Sequence, residues 1–460
     1  MAVRQHQGKS LEHETESGAT QLAVSSGRAT FGGLAFSLLA VPAIFDLPLA
    51  GLAVLCPLVF AITFKRLRPL YLAIFVGCSL TWLGTAGQLS YLGVSSISSE
   101  SFRFALLFGI VLAAIIAILG SLRSGSRSKA YGIEVSTRSH VFLLMLALLL
   151  LANRLSSGIP LLQGNEARLQ SVASESPIMG IALGSAVISA AFLRSSPRAS
   201  IGALQILLVI MTLGTASRLL IVAVLLGVAT GYLGHLNRFS GIARSLVAAS
   251  AGFVVLGAAL LTYGARTEGR LEAIQSERAN AIGGFAGFFN ETLGPSLYLS
   301  ARNGLSVNEL IQSGGLQPPG GFIIGGATKS LGLSGGFADP ERWLTTALGF
   351  SVDSTGAIAT PIWSGALSDY GFLGGLLLAA VVGALCVLYV DFVPGSVVWL
   401  SVGIVFSFYG SYLVSAQFIG ASLLLAMISI GTRYLRAGEV PKSEPRSASV
   451  APDCSTNKGM

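Results

Sequence analysis

The sequence predicts an all-α polytopic membrane protein with about 12 transmembrane helices and one large extracytoplasmic loop between spans 9 and 10. Hydrophobic residues make up 52% of its 460 residues, and charged residues make up only 11%. Soluble globular proteins carry about 25% charged residues. Many charge-free segments also match the roughly 20 residues that a bilayer-spanning helix requires. These observations exclude a soluble enzyme, a disordered protein and a nucleic-acid-binding protein.

Eleven windows contain no Asp, Glu, Lys or Arg, and together they predict twelve spans. The windows are 29–45, 47–64, 69–99, 104–122, 139–153, 176–193, 199–217, 219–237, 245–265, 370–390 and 392–432. The last window is 41 residues long, so we expect two helices in it, with a break at Tyr409-Gly410-Ser411 or slightly later. Only Asp46, between Pro42 and Pro48, separates the first two windows, which could instead form a re-entrant pair.

The distribution of Lys and Arg predicts the orientation, because cytoplasmic loops hold the excess of basic residues. With both termini inside, the inner segments hold 19 basic and 8 acidic residues, and the outer segments hold 10 basic and 13 acidic residues. We therefore predict five segments. They are a cytoplasmic N-terminal tail (1–28), transmembrane helices 1–9 (29–265), a large periplasmic or extracellular loop (266–364), transmembrane helices 10–12 (365–432) and a disordered cytoplasmic tail (433–460).

The loop 266–364 is the only predicted extramembrane segment large enough to shape a site. It contains glycine pairs and interleaved aromatic residues, and long loops in compact proteins are usually functional. A flexible surface loop is the alternative interpretation. No glycine pair forms a phosphate-binding motif, so ATP-driven transport is unsupported. In span 10, which follows the loop, small residues predict close helix packing through Gly371, Gly374, Gly375 and Gly383.

Arginine recurs at the predicted outer boundary of the membrane. Arg154 closes span 5, Arg168 lies in the loop after it, and Arg218 joins span 7 to span 8. A planar guanidinium grips phosphate with two parallel hydrogen bonds, so the three residues favour an anionic lipid headgroup. The alternative is that each arginine only extends towards the interface from a helix end. Arg103 is also on the outer side but matches no motif, and we expect alanine there to be nearly silent.

Carboxylates are the candidates for a general base, because all four histidines fall on the cytoplasmic side or in a tail. Glu291 and Asp353 are the leading candidates, since each lies beside an aromatic-rich or Ser/Thr-rich segment that can partly bury it. Glu309 and Asp369 come next. The alternative for each of them is a solvated surface position. No cluster of histidine and carboxylate residues suggests a metal site, and we expect neither a metal nor a cofactor.

Three motifs, in this order along the chain, resemble those of one family. Gly158-Ile159-Pro160-Leu161-Leu162, followed by Arg168, resembles the G-I-P-L motif of bacterial oligosaccharide repeat-unit polymerases, the Wzy-type O-antigen and capsule polymerases. Ser217-Arg218 resembles the family's Ser-Arg helix start. The segments 361–363 and 369–374 are similar to its re-entry from loop to helix. The motifs cover about 40 residues, whereas the likeness in layout covers most of the chain.

The resemblance implies an integral-membrane glycosyltransferase that makes O-antigen, capsular polysaccharide or exopolysaccharide in the bacterial inner (plasma) membrane. Such an enzyme transfers the growing glycan from undecaprenyl diphosphate to a new lipid-linked repeat unit on the outer face. Arg154, Arg168 and Arg218 would then bind the substrate diphosphate, and Glu291 or Asp353 would act as the base. The implied partners are undecaprenyl-diphosphate-linked oligosaccharides, membrane lipids, a chain-length regulator and a flippase, and not nucleic acid.

Two other functions remain open at this point. The related O-antigen ligases share the layout but are expected to carry a histidine in the large outer loop, and this chain has none there. A transporter or lipid-linked sugar flippase usually shows internal repeats, interrupted helices and ionisable residues near the bilayer midplane. The sequence has no obvious repeat, and its apolar windows hold no charge.

The first prediction concerns topology. Reporter fusions at Ser126 and Pro441 should show a cytoplasmic location, and a fusion near Gly325 should show an outer location, because the excess of basic residues marks the inner side. Paired alkaline phosphatase and fluorescent protein fusions measure this directly. A cytoplasmic signal at Gly325 would overturn both the orientation and the function.

Overall fold

The computed structural model shows a helical bundle. It describes residues 30–45, 48–64, 67–86, 97–122, 133–156, 158–162, 177–195, 198–215, 217–235, 294–316, 320–325, 340–347, 360–410 and 412–438. Window 245–265, the predicted ninth span, lies outside these residues, as do the two tails and parts of the large loop.

Eight helices precede the large loop, two lie within it and three follow it in the described part of the chain. The first eight are α1 (Thr30–Ile44), α2 (Ala50–Thr63), α3 (Arg68–Ala86), α4 (Ser99–Leu122), α5 (Thr137–Leu155), α6 (Pro177–Phe192), α7 (Ala199–Gly214) and α8 (Arg218–His235). The other five are α9 (Gly294–Gln312), α10 (Pro340–Ala347), α11 (Ile362–Phe392), α12 (Val397–Gly410) and α13 (Ala416–Gly438).

Four of these helices are long and apolar enough to cross a membrane, namely α4, α5, α11 and α13. Six others are apolar but only 10–17 residues long, including α1 and α2. Many large apolar side chains point out of the bundle, such as Phe31, Leu38, Phe142 and Leu149. Exposed apolar surface of this extent marks contact with lipid or another partner. The molecule is thus an all-α membrane protein.

The predicted break in window 392–432 is confirmed, because α12 ends at Gly410 and α13 begins at Ala416. The first two windows form two separate helices, packed through stacked rings of Phe36 and Phe60 whose centroids are 3.8 Å apart. Both helices are shorter than the roughly 20 residues of a full span. Their length is therefore compatible with the re-entrant pair that the sequence left open.

Contacts between helix ends follow the alternating path of a membrane bundle. Strands β1 (Ile133–Glu134) and β2 (Leu193–Arg194) pair in parallel, and they join the start of α5 to the end of α6. At the opposite ends of α5 and α7, the space beside Gly214 is closed by Leu155 and Ile159. Each contact joins two ends that an up-and-down path places on the same side.

Three arginines close the carboxyl ends of helices. Arg68 Nε donates to the Ala61 carbonyl of α2 at 2.9 Å, and one Arg433 amino group donates to the Phe392 carbonyl of α11 at 2.9 Å. Arg103 donates to the carbonyls of Ala43 and Ile44 at the end of α1 at 2.8 and 2.6 Å. The last carbonyls of a helix lack partners within it, and a cation complements the negative end of the helix dipole.

These contacts speak against the expectation that alanine at position 103 is nearly silent. Besides capping α1, its guanidinium lies 5.8 Å from the ring centroid of Phe372 on α11. Arg103 thus ties α1, α4 and α11 together at one end of the bundle. Sequence motifs could not reveal this role, because the contacts link residues about sixty positions apart.

Helix α11 packs along α4 through only part of the predicted glycine face. A Cβ atom at Gly375 would meet the Phe104 ring at 2.7 Å, and one at Gly383 would lie 3.1 Å from the Leu112 carbonyl oxygen. At Gly374 the nearest atom belongs to Tyr370 of the same helix. Gly371 is exposed and breaks the helix with φ 67° and ψ −171°, a conformation essentially restricted to glycine.

Opposite the buried glycines, α11 carries an exposed apolar stripe. Its members recur at helical spacing and are Leu373, Leu377, Val381, Leu385, Leu388 and Phe392. An apolar face of this kind, opposite a face of small residues against α4, is the expected arrangement for a helix between lipid and protein. Gly374 and Gly371 are the two positions where the sequence expectation of close packing was wrong.

The second prediction compares the two faces of α11. Gly383→Leu should lower the yield of monodisperse protein, because backbone atoms of α4 leave no room and overpacking costs about 1–3 kcal/mol. Leu377→Ala, on the exposed stripe of the same helix, is the matched control and should change yield little. Size-exclusion chromatography of the detergent-solubilised protein measures both. Similar profiles for both variants would mean that α4 and α11 do not pack as described.

Candidate functional site

A helix from the large loop lies inside the bundle. All residues at positions 300–308 of α9 are buried, and α9 contacts α3, α4, α11 and α12. A Cβ atom at Gly304 would meet Pro361 and Trp363, each at 2.7 Å, so the backbone of α9 approaches the start of α11 closely. This part of the loop is thus an ordered, packed element.

The buried stretch of α9 is rich in polar side chains. Its buried polar residues are Ser300, Arg302, Asn303, Ser306 and Asn308. Buried polar groups are costly unless they find hydrogen-bond partners. Asn308 Oδ1 accepts a hydrogen bond from the Ser364 hydroxyl at 3.2 Å, which joins α9 to α11. A polar helix face inside an otherwise apolar bundle marks this region as the candidate site.

Arg302 is the charged residue of this face, and it is only 2% exposed. Its guanidinium donates to the Gly84 carbonyl in the last turn of α3 at 3.4 Å. A buried cation is favourable only with good partners, and the carboxyl end of a helix is one of them. Sequence reasoning missed Arg302. The available signal was the low charge of residues 292–328, in which only Arg302 and Glu309 are ionised side chains.

Glu309 and Asp369, the base candidates that follow Glu291 and Asp353, both accept hydrogen bonds from backbone N–H groups. The Glu309 carboxylate accepts hydrogen bonds from the backbone N–H of Ser98, at 2.8 Å, and from its hydroxyl, just before α4 begins. The Asp369 carboxylate accepts from the N–H groups of Phe322 and Ile323 at 2.8 and 2.7 Å. These charge-assisted bonds anchor loop segments to the helices, which is a different role from proton abstraction.

The two leading base candidates, Glu291 and Asp353, lie outside the described residues, and so does Arg168 of the arginine set. Arg154 lies half-buried in the last turn of α5. Arg218 begins α8, although only its backbone is described.

The G-I-P-L segment contacts the end of α7, which shortly precedes the Ser-Arg motif. Gly158, the first residue of the G-I-P-L segment, has φ 139°, a conformation that favours glycine. The segment turns back after α5, so Ile159 and Leu155 lie against Gly214, at 3.6 and 3.4 Å from a Cβ built there. Gly214 is the last residue of α7, three residues before Ser217-Arg218. The structure thus places the end of α5 against the end of α7.

In the part of the chain that the structure describes, no three His, Cys, Asp or Glu residues lie close enough together to hold a metal ion. The three described cysteines, Cys56, Cys78 and Cys386, are free and buried within helices. His140 bonds Ser195 at 2.8 Å and the Ala190 carbonyl at 3.2 Å, beside the β1–β2 pair and away from the arginine end of α5.

Comparison with known proteins returned no relative. No protein-family model matches the chain, no curated protein matches it, and no solved structure matches it.

The third prediction separates anchoring by Asp369 from catalysis by it. Asp369→Asn should lower the thermal stability of the purified protein, because an amide replaces one of two charge-assisted acceptors, each worth about 1.5–3 kcal/mol. Thermal unfolding in detergent measures the change. An unchanged melting temperature together with lost activity would instead indicate that Asp369 is a base.

Proposed function

We propose that the protein is a polymerase of lipid-linked oligosaccharide repeat units, acting as a glycosyltransferase in the bacterial inner membrane. The observation that carries the proposal is the contact of Ile159 and Leu155 with Gly214. This contact supports the proposal because it brings the G-I-P-L segment to the helix end three residues before Ser217-Arg218, and the two segments that resemble polymerase motifs lie more than fifty residues apart in sequence. Motifs that serve one site are expected to lie near one another in this way.

The chemistry at this end would be recognition of a diphosphate. Arg154 lies in the last turn of α5 and Arg218 begins α8, and an up-and-down path puts these two helix ends at the same boundary of the bundle. When the glycan leaves undecaprenyl diphosphate, negative charge builds up on the diphosphate. Preorganised cations at that position lower the barrier. Arg168 would join this set, with Glu291 or Asp353 as the base that accepts the proton of the acceptor hydroxyl.

The packed part of the large loop also supports this function. A polymerase must hold a second lipid-linked oligosaccharide beside the donor, outside the membrane. The buried helix α9 fixes the loop against the starts of α4 and α11, through Glu309 and Asn308 respectively. A fixed loop provides a preorganised surface for that acceptor, which an unpacked loop would not.

Transport of a lipid-linked sugar is the second candidate function, and two observations favour it. Helix α11 is interrupted at Gly371, and Arg302 is buried within the bundle. Interrupted helices and buried ionisable residues are features of transporters. The products in a deletion strain separate the two functions: loss of a polymerase leaves single repeat units on the surface, whereas loss of a flippase leaves none.

The fourth prediction concerns Arg218. Arg218→Ala should leave a normally inserted protein that accumulates single, unpolymerised repeat units, with a loss of about 10²–10³ in rate on the scale of one lost oxyanion contact. Arg218→Lys retains the charge without the planar fork, so it should give shorter or scarcer polymer. Gel electrophoresis of surface polysaccharide from a complemented deletion strain measures chain length.

The matched control is Arg198, an exposed arginine at the opposite end of the neighbouring helix α7. Arg198→Ala should make polymer of normal length. Arg103 is unsuitable as a control because it caps α1. If Arg198→Ala and Arg218→Ala have equal effects, the loss reflects folding or headgroup anchoring, and the role of Arg218 in catalysis is refuted.

A further inference from the structure

A cleft lies between the buried loop helix and the start of α11. Its enclosed part has a volume of about 20 Å³. Its principal wall residues are Val307, Phe322, Trp343, Thr360, Ser364 and Ser368. We propose that this cleft is a carbohydrate subsite, which binds a neutral sugar ring of the oligosaccharide. The inference rests on the proposed function, because it assigns a part of the same substrate to a second place on the chain.

The aromatic wall suits the apolar face of a sugar. Trp343 on α10 and Phe322 in the turn at 322–325 form a pair with ring centroids 5.2 Å apart and planes 47° apart. Trp343 is half-buried, so part of its indole faces the cleft rather than the core. The C–H groups on one face of a pyranose can pack against such a ring, which presents a large and rigid apolar surface.

The opposite wall supplies hydroxyl groups. Thr360, Ser364 and Ser368 lie along the entry to α11. Ser364 is held by Asn308 and by the Gly304 carbonyl, at 3.2 and 3.4 Å. Ser368 Oγ has no hydrogen-bond partner among the described residues, although it is shielded from water. A shielded hydroxyl without a partner is costly, and a ligand hydroxyl in the cleft would satisfy it.

The described lining favours a neutral occupant. None of the residues that line the cleft in the described part of the chain is charged. Diphosphate recognition uses cations, whereas sugars are recognised by neutral hydroxyls and aromatic rings, which the described walls supply. The enclosed volume is only large enough for about one water molecule or one hydroxyl group, so we place the sugar ring at the mouth of the cleft, against Trp343, with one of its hydroxyls inside.

The cleft is also held rigid. Asp369 fixes the turn that carries Phe322 through two backbone hydrogen bonds, and Ile323 of the same turn packs 3.3 Å from a Cβ built at Gly365. Rigid walls reduce the entropy lost on binding. Asp369 is therefore a positioning residue for the sugar subsite and has no contact with the reacting atoms in this assignment.

The test measures binding separately from polymer formation. Full-length protein purified in detergent is titrated with the oligosaccharide repeat unit released by mild acid from the source bacterium's surface polysaccharide. Calorimetry or ligand-observed NMR gives the dissociation constant. Trp343→Ala should weaken binding about tenfold or more, and Trp343→Phe, which keeps a ring, should stay within about threefold. Ser368→Ala should weaken it about fivefold without lowering the melting temperature.

Two further measurements keep the outcomes distinct. Arg218→Ala should bind the free oligosaccharide as the unchanged protein does, even though it fails to polymerise. Inorganic pyrophosphate should show no binding that depends on Trp343. Unchanged oligosaccharide affinity in folded Trp343→Ala and Ser368→Ala would overturn the subsite, whatever Arg218 does. Normal polymer from Arg218→Ala, together with Trp343-dependent binding, would overturn the role of Arg218 in polymerisation while leaving the subsite in place.

Discussion

The structure depends on closing the polar ends of helices in a medium that offers little water. Backbone groups within a membrane must find partners in the protein. Here charged side chains serve that purpose: Arg103 closes α1, Arg302 binds the end of α3, and Arg433 closes α11. The Asp369 carboxylate instead accepts hydrogen bonds from the N–H groups at the start of the turn at 322–325. Each charge matches the sign of the helix dipole that it meets.

This constraint also explains why the large loop can enter the bundle. The buried face of α9 carries an arginine and two asparagines, which would be costly among apolar helices without partners. The Gly84 carbonyl, the Ser98 backbone and the Ser364 hydroxyl provide partners at the ends of three different helices. The described part of the loop is thereby fixed against the starts of α4 and α11. One wall of the proposed carbohydrate subsite depends on this anchoring.

The structure adds contacts that the sequence did not indicate. Arg103 matched no motif, yet it joins three helices. Asp369 was a candidate base, and both of its oxygens accept hydrogen bonds from backbone N–H groups. Gly374 was expected to pack against another helix, yet the atom nearest to a Cβ built there belongs to Tyr370 of its own helix. Arg103 and Asp369 find partners that are distant in sequence, which a linear pattern does not record.

Composition and charge-free windows were sufficient for the class of protein, most of the described helix positions and the break after Gly410, because transfer of apolar side chains into lipid depends on local sequence. One motif segment contacts a helix end close to a second motif, through Ile159 and Gly214. Only the tertiary structure decided that Arg302 is buried, that α9 belongs to the bundle, and that Trp343, Phe322 and Ser368 share one cleft. These features arise from packing between segments that are far apart in the chain. The neighbour that a polar group meets there determines whether the group is solvated, hydrogen-bonded within the protein or available to a ligand.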